Sequence, residues 1–310
     1  MKAYIFLLMI FLTSCSHLQT RKQIKDEQVK KAPQTTTAEE ENTKLSGLQE
    51  EPVSEPVIPK VGLILGPGGV KTFAHTGVIK ELLKAKININ KIIGLEWGAL
   101  VAALYAQNSQ VHEAEWKMYK LSAKDLPDKE LFSNRYSPIT ISSFTKFLRK
   151  NLTIEAAQAK VDFSCPSMSY LSGATVWQEY GKLSQAVARC LPYPPIFKPE
   201  KYIWMASAFA IKDSIKKMRE AGMDVIIYVD VLGSGQIMAT KDLEGDYQSA
   251  IIWHELRRHA DQYSFESVER LRVKTDAFKL FDFANRSQLL SAGQRAGRKL
   301  VDRLVEKYNF

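Results

Sequence analysis

Lys91-Ile92-Ile93-Gly94-Leu95-Glu96-Trp97-Gly98-Ala99-Leu100-Val101-Ala102-Ala103-Leu104-Tyr105 reads as a buried strand, a tight turn and a helix. An apolar run bounded by glycine suits the strand, and the alanine- and leucine-rich stretch after it suits the helix. Gly94 and Gly98 flank the turn at the G-x-S-x-G spacing, which lets a strained residue project from the corner between strand and helix. A serine hydroxyl at the central position would be the nucleophile. This chain carries the carboxylate of Glu96 there.

Upstream, Val61-Gly62-Leu63-Ile64-Leu65 is a second short apolar run, suited to a buried parallel strand. It leads into Gly66-Pro67-Gly68-Gly69-Val70-Lys71-Thr72 and then a helix-like stretch, Phe73 to Leu83. Strand, glycine loop, helix, strand, elbow, helix is the opening of a parallel α/β fold. Backbone N–H groups of a glycine loop at a helix N-terminus face negative charge, as an oxyanion hole requires.

Two later segments extend the pattern: Arg189-Cys190-Leu191-Pro192-Tyr193-Pro194-Pro195-Ile196-Phe197-Lys198-Pro199 and Ala221-Gly222-Met223-Asp224-Val225-Ile226-Ile227-Tyr228-Val229-Asp230-Val231. With both loops, these make the chain resemble the patatin-like phospholipase family from about Val61 to the C-terminus. The family pairs a G-G-G-x-(R/K)-G oxyanion loop with a serine elbow and a later D-G-G/A aspartate, forming a Ser–Asp dyad. Pro194, Phe197 and Pro199 match its A-S-x-A-x-P-x-x-F-x-P segment, whereas Arg189, Cys190 and Pro192 do not. The resemblance implies one α/β domain with a mainly parallel central sheet flanked by helices. It also places Gly66, Gly68, Gly69 and Lys71 in the oxyanion loop and Gly94 and Gly98 at the elbow.

The departures fall on the chemistry. Glu96 replaces the nucleophile, and counting from Pro199 by the family's spacing puts the aspartate at about Ala206. Asp213, the nearest downstream carboxylate, falls about seven positions late and is expected on the next helix. Pro67 and Thr72 replace loop glycines. No intact catalytic residue is therefore expected at either dyad position.

At an elbow, burial should raise the Glu96 pKa while N–H dipoles and Lys71 pull it down. An ionised Glu96 would occupy the space of an oxyanion and plug the hole. A carboxylate nucleophile is the chemical alternative, and it needs a base. His75 is the only candidate nearby in sequence, and packing beneath the loop is its expected role. The Gly66–Thr72 loop lacks the glycines that a phosphate loop needs at Leu65 and Val70, and the one that a dinucleotide fingerprint needs at Lys71. His254-Glu255-Leu256-Arg257-Arg258-His259 has one residue too many for a zinc helix. A spacing of five sets the imidazoles about 140° apart. No metal or cofactor is expected.

The first sixty residues read separately. Met1-Lys2 and the apolar run Ala3–Leu12 precede Leu12-Thr13-Ser14-Cys15, which matches a bacterial lipobox, so residues 1–14 are expected to be a cleaved lipoprotein signal. The product would begin at Cys15 with diacylglycerol on sulfur and an acyl chain on nitrogen, a stable anchor. Ser16 in place of aspartate resembles an outer-membrane address, facing the periplasm or the surface. Residues 15–60 are polar, with Thr35-Thr36-Thr37, Glu39-Glu40-Glu41 and repeated prolines, the composition of a disordered tether. About 45 such residues average roughly 35–40 Å end to end.

Residues 61–310 suffice for one domain with a sizeable core. Cys165 and Cys190 can be bonded in an oxidising compartment or stay free and buried. The net charge of +9 is compatible with anionic headgroups or an acidic partner. Its basic residues are dispersed along the sequence without the interleaved aromatics of a nucleic-acid groove, so nucleic acid is not an expected partner. Trp116 with Tyr119, and Phe144 with Leu148, lie at helical spacing and are expected in core packing. Leu289–Val305 reads as a closing amphipathic helix against the sheet. The expectation is a lipid-anchored, degenerate patatin-like lipoprotein that binds a lipid, an envelope component or a protein. The alternative is an acyl or phospholipid hydrolase using Glu96 or an unrecognised nucleophile.

Overall fold

The computed structural model describes residues 58–122, 139–140, 142–194, 196–198, 203–233, 247–281 and 283–310. They belong to a compact unit, Pro56–Phe310. The signal, Cys15 and nearly all of the tether lie outside the described residues. In chain order the elements are β1 (Val61–Leu65), α1 (Phe73–Lys84), β2 (Ile89–Gly94), α2 (Gly98–Asn108), α3 (Val111–Lys120) and β3 (Ile139–Thr140). Next come α4 (Ser142–Asn151), β4 (Asp162–Ser169), β5 (Thr175–Gln178), α5 (Leu183–Cys190), β6 (Phe197–Lys198) and β7 (Trp204–Ala206). The last are α6 (Ile211–Glu220), β8 (Val225–Asp230), α7 (Tyr247–Asp261), β9 (Glu269–Arg272) and α8 (Arg286–Tyr308).

Seven strands among the described residues form the main sheet, in the order β5-β4-β2-β1-β8-β9 with β7 also on β4. β4, β2, β1, β8 and β9 run parallel. β5 and β7 lie antiparallel to the far half of β4. All five β1 residues and all six β8 residues are buried, as expected for parallel strands covered on both faces. The two-residue period then separates the cores. Leu63, Leu65 and Ile92 join the larger one; Ile64, Ile93 and Leu95 join the smaller one on the other face.

Because β1 and β2 are parallel, with Leu65 opposite Gly94, the glycine loop and the elbow leave the same end of the sheet side by side. This is where ligands bind in open α/β sheets.

Two expectations change in detail, and the cysteine pairing left open by the sequence is settled. α8 closes the fold by lying along α1, and its contact with the sheet is slight. A Cβ on Gly293 would stand 1.9 Å from the Ala74 carbonyl oxygen, so the missing side chain is what lets the helices meet this closely. Trp116 is 62% exposed, with the Lys120 ammonium 4.7 Å above its ring; α3 turns its buried Val111, Ala114 and Met118 inward instead. Phe144 and Leu148 are buried as expected. Cys165 and Cys190 form a disulfide with Cα atoms 6.3 Å apart, tying β4 to the end of α5. No helix of the described residues is long and apolar enough to cross a membrane.

Candidate functional site at the elbow

The corner between β2 and α2 is held by backbone contacts. Leu95 N–H donates to the Leu65 carbonyl at 2.9 Å, Gly98 N–H to Leu95 at 2.8 Å and Ala99 N–H to Glu96 at 2.9 Å. A Cβ on Gly94 would lie 2.3 Å from Ala99 Cα, and one on Gly98 2.4 Å from the Leu65 oxygen. Both glycines are therefore steric requirements of the corner. Between them Glu96 sits at φ 51°, a left-handed conformation that costs a residue with a Cβ about 1–2 kcal/mol.

Glu96 is 5% exposed. Its Oε2 accepts from the Gly68 N–H at 3.1 Å and the Gly69 N–H at 3.3 Å. The loop holds those amides in place through the Gly66 N–H on Val229 O at 2.9 Å and the Val70 N–H on Leu280 O at 2.6 Å. Burial pushes the Glu96 carboxyl up to about 7, while the N–H groups of Trp97, Gly68 and Gly69 pull the other way. Desolvation wins because it acts on the whole charge, whereas a few amide dipoles recover only part of the lost hydration.

Lys71 does not serve Glu96 as the sequence suggested. Its buried ammonium donates to the Thr275 carbonyl at 3.0 Å and lies 3.8 Å from the centre of the Trp253 ring. Burial lowers its pKa to about 7 against the charges of Asp276 and Asp230. The expected counterion is thus a brace between the glycine loop and the chain after β9. Thr72, at the substituted glycine position, donates its hydroxyl to Gly69 O at 2.6 Å and closes the turn.

His75 packs beneath the loop. Its Nε2–H donates to Gly66 O at 2.9 Å, and burial lowers its pKa to about 4. The ring is neutral and turned onto backbone. Its Nδ1 has no partner among the described residues.

Ala206, at the expected aspartate position, is buried at the end of β7 opposite Ser167, and its N–H donates to Pro192 O at 2.6 Å. Asp213 lies in the first turn of α6 and is exposed. Neither supplies a carboxylate to the elbow.

Sequence reasoning missed Tyr193. Burial, then the charges of Glu96 and Glu255, push its phenol up to about 12, so it stands near the elbow as a neutral hydroxyl. Its ring meets Phe209 edge-on at 6.2 Å. Trp97, just after the elbow, packs among Phe144, Phe197 and Phe281 at 5.4–6.4 Å. No group of three or more metal-ligating side chains occurs among the described residues.

A mainly parallel sheet with a glycine loop and a strained elbow side by side at one end defines the class of α/β fold. The model of the family described as patatin-like phospholipase matches residues 63–230. This chain belongs to that family. Lysophospholipase NTE1 of Coccidioides immitis is 25% identical over 281 residues, covering 79% of this chain and 18% of its own length. Patatin-like phospholipase domain-containing protein 6 of Mus musculus is 22% identical over 279 residues, 77% of this chain and 20% of its own. The chain thus spans about a fifth of these relatives. Among solved structures, VipD from Legionella pneumophila superposes with a TM-score of 0.50 at 12% identity, over 80% of this chain and 67% of VipD. That likeness concerns the fold.

Proposed function

We propose that this chain is a non-catalytic patatin-like lipoprotein, anchored in a bacterial envelope through a lipidated Cys15, that binds a lipid, an envelope component or a protein partner through the former substrate cleft. The observation that carries the reading is the Glu96 carboxylate on the Gly68 and Gly69 N–H groups. Those are the donors an oxyanion would need, and an internal acceptor occupies them. Ala206 provides no base, and the His75 imidazole is committed to Gly66. Ser16 in place of aspartate after the lipidated cysteine supports an outer-membrane position, facing the periplasm or the surface. The Cys165–Cys190 disulfide supports export to an oxidising compartment.

A hydrolase reading draws on the Glu96 pKa of about 7, the range in which a carboxylate serves as a general base, and on relatives named as lysophospholipases. Turnover of short- and long-chain esters, phospholipids and lysophospholipids by residues 56–310 separates the two readings, with Glu96→Ala alongside. The expected result is no turnover by either protein. Activity lost in the variant would overturn the non-catalytic reading and make Glu96 a working nucleophile or base.

A further inference from the structure

Far along the sheet from the β9 edge, α4, α5 and the start of β7 enclose an open groove of about 390 Å³. Arg149, Ser184, Gln185, Arg189, Ile203 and Trp204 are among its lining residues. Its two arginines are exposed and form no ion pair among the described residues. Among the described residues Arg189 donates to the neutral Gln178 side chain, at 3.0 Å. Neither helix bears a single acidic residue, while Lys146 and Lys150 on α4 and Lys182 before α5 add to the positive charge. Of the described carboxylates on flanking segments, Glu179 is neutralised by Lys217 at 2.8 Å. Glu155 is engaged in the cap of the short helical turn at Ala156–Gln158.

Beside this groove the chain exposes apolar side chains. The tip of the β4–β5 hairpin carries Tyr170, 58% exposed, and Leu171, 85% exposed. The Tyr170 N–H donates to the Ile203 carbonyl at 2.8 Å, so the tip is fastened to the groove wall. Ile203 is itself exposed and Trp204 half-buried. Aromatic and leucine side chains at a projecting tip, next to arginines that form no ion pair among the described residues, match the two zones of a bilayer surface: an apolar interface below a layer of anionic phosphates.

We propose that this face, the Tyr170–Leu171 tip with the Arg149–Arg189 groove, docks the domain on an anionic phospholipid bilayer. In the docked state the tip enters the interface and the arginines hold a lipid phosphate. Arginine suits that role because its planar fork matches two phosphate oxygens. Docking at this face does not depend on whether the elbow is catalytic. A tether alone would leave the domain free to reorient; this contact fixes which side meets the lipid.

Co-sedimentation of residues 56–310, which carry both cores and lack Cys15, tests the proposal with phosphatidylcholine vesicles, with and without phosphatidylglycerol. Preferential binding to the phosphatidylglycerol vesicles is expected. Arg149→Gln with Arg189→Gln should weaken it about 30-fold, and Leu171→Asp about tenfold. Arg295→Gln with Lys299→Gln, exposed on α8 near the opposite edge, removes the same charge and should leave binding nearly unchanged. Wild-type indifference to phosphatidylglycerol, full binding by either groove or tip variant, or an equal loss in the α8 pair would each overturn it. The substituted side chains are exposed, and an unchanged melting temperature checks that each variant is folded.

Discussion

Replacing Glu96 by glutamine should change how stability depends on pH more than it changes stability itself at low pH. The elbow carboxyl moves from an ordinary 4.5 to about 7 in the folded chain. Below pH 4.5 it is protonated whether the chain is folded or not, and it contributes no pH dependence. Between 4.5 and 7 the unfolded chain releases this proton while the folded chain keeps it, so stability falls as pH rises. The gap of about 2.5, at about 1.36 kcal/mol each, gives roughly 3 kcal/mol lost by neutral pH and no further change above it. Glutamine keeps an oxygen for the Gly68 and Gly69 amides and cannot ionise. Urea unfolding of residues 56–310 across pH 4.5–8 should therefore give curves that coincide at the acid end and separate toward neutrality, with Glu96→Gln the more stable. In melting temperature the separation at pH 7.5 is about 6–12 °C for a domain of this size. A difference that stays flat across this range would refute the reasoning. It would mean that the amides hold the ionised form as well as water does.

Gly98→Ala should destabilise the fold by about 3 kcal/mol in chemical denaturation, because a Cβ there would stand 2.4 Å from the Leu65 oxygen and 2.8 Å from the Gly66 oxygen, both backbone atoms. Cys165→Ala with Cys190→Ala should lower stability by about 3 kcal/mol, since the bond closes a loop of 25 residues; reductant should lower the melting point of the wild type and leave the variant unmoved. Lys71→Met should remove a pH dependence of the opposite sign to that of Glu96. The folded ammonium loses its proton near 7 while the unfolded one keeps it to about 10.4. Stability conferred through Lys71 therefore rises between those values, and a wild-type-minus-variant difference that failed to rise would count against its burial.

Much of the site was legible because its determinants are local. Val61–Leu65 and Lys91–Gly94 declare buried strands by apolar continuity, and Gly94 and Gly98 declare the corner because their neighbours leave no room for a Cβ. The carboxylate of Glu96 at the centre of the elbow is visible in one letter. Lys71 was misread because its partners are distant: Thr275 lies 204 residues away, and nothing in Gly69-Val70-Lys71 says which way the ammonium turns. The arginine groove was hidden for a similar reason. Arg149 and Arg189 look dispersed in sequence, and only the packing of α4 on α5 makes them neighbours. Trp116 shows the converse limit, since helical spacing with Tyr119 defines a stripe without telling whether anything covers it.

The left-handed Glu96 bears on what an elbow can reveal. Strain at such a corner is commonly retained for chemistry, but here the backbone has reasons of its own. Leu95 must donate to Leu65, and the glycines on either side press α2 against β1 and β2, so residue 96 is forced into φ > 0 whatever its side chain. The strain is offset by the packing of α2, whose residues from Gly98 to Gln107 are all buried. A serine is therefore not needed for the corner, and the buried amides of the glycine loop would favour an acceptor in its place. Glutamate reaches them where alanine would leave two buried N–H groups unpaired, at a cost of about 1–3 kcal/mol each. The elbow is thus accounted for as architecture, and on the non-catalytic reading proposed above it is the carboxylate on the glycine amides, rather than the elbow, that would stop the site.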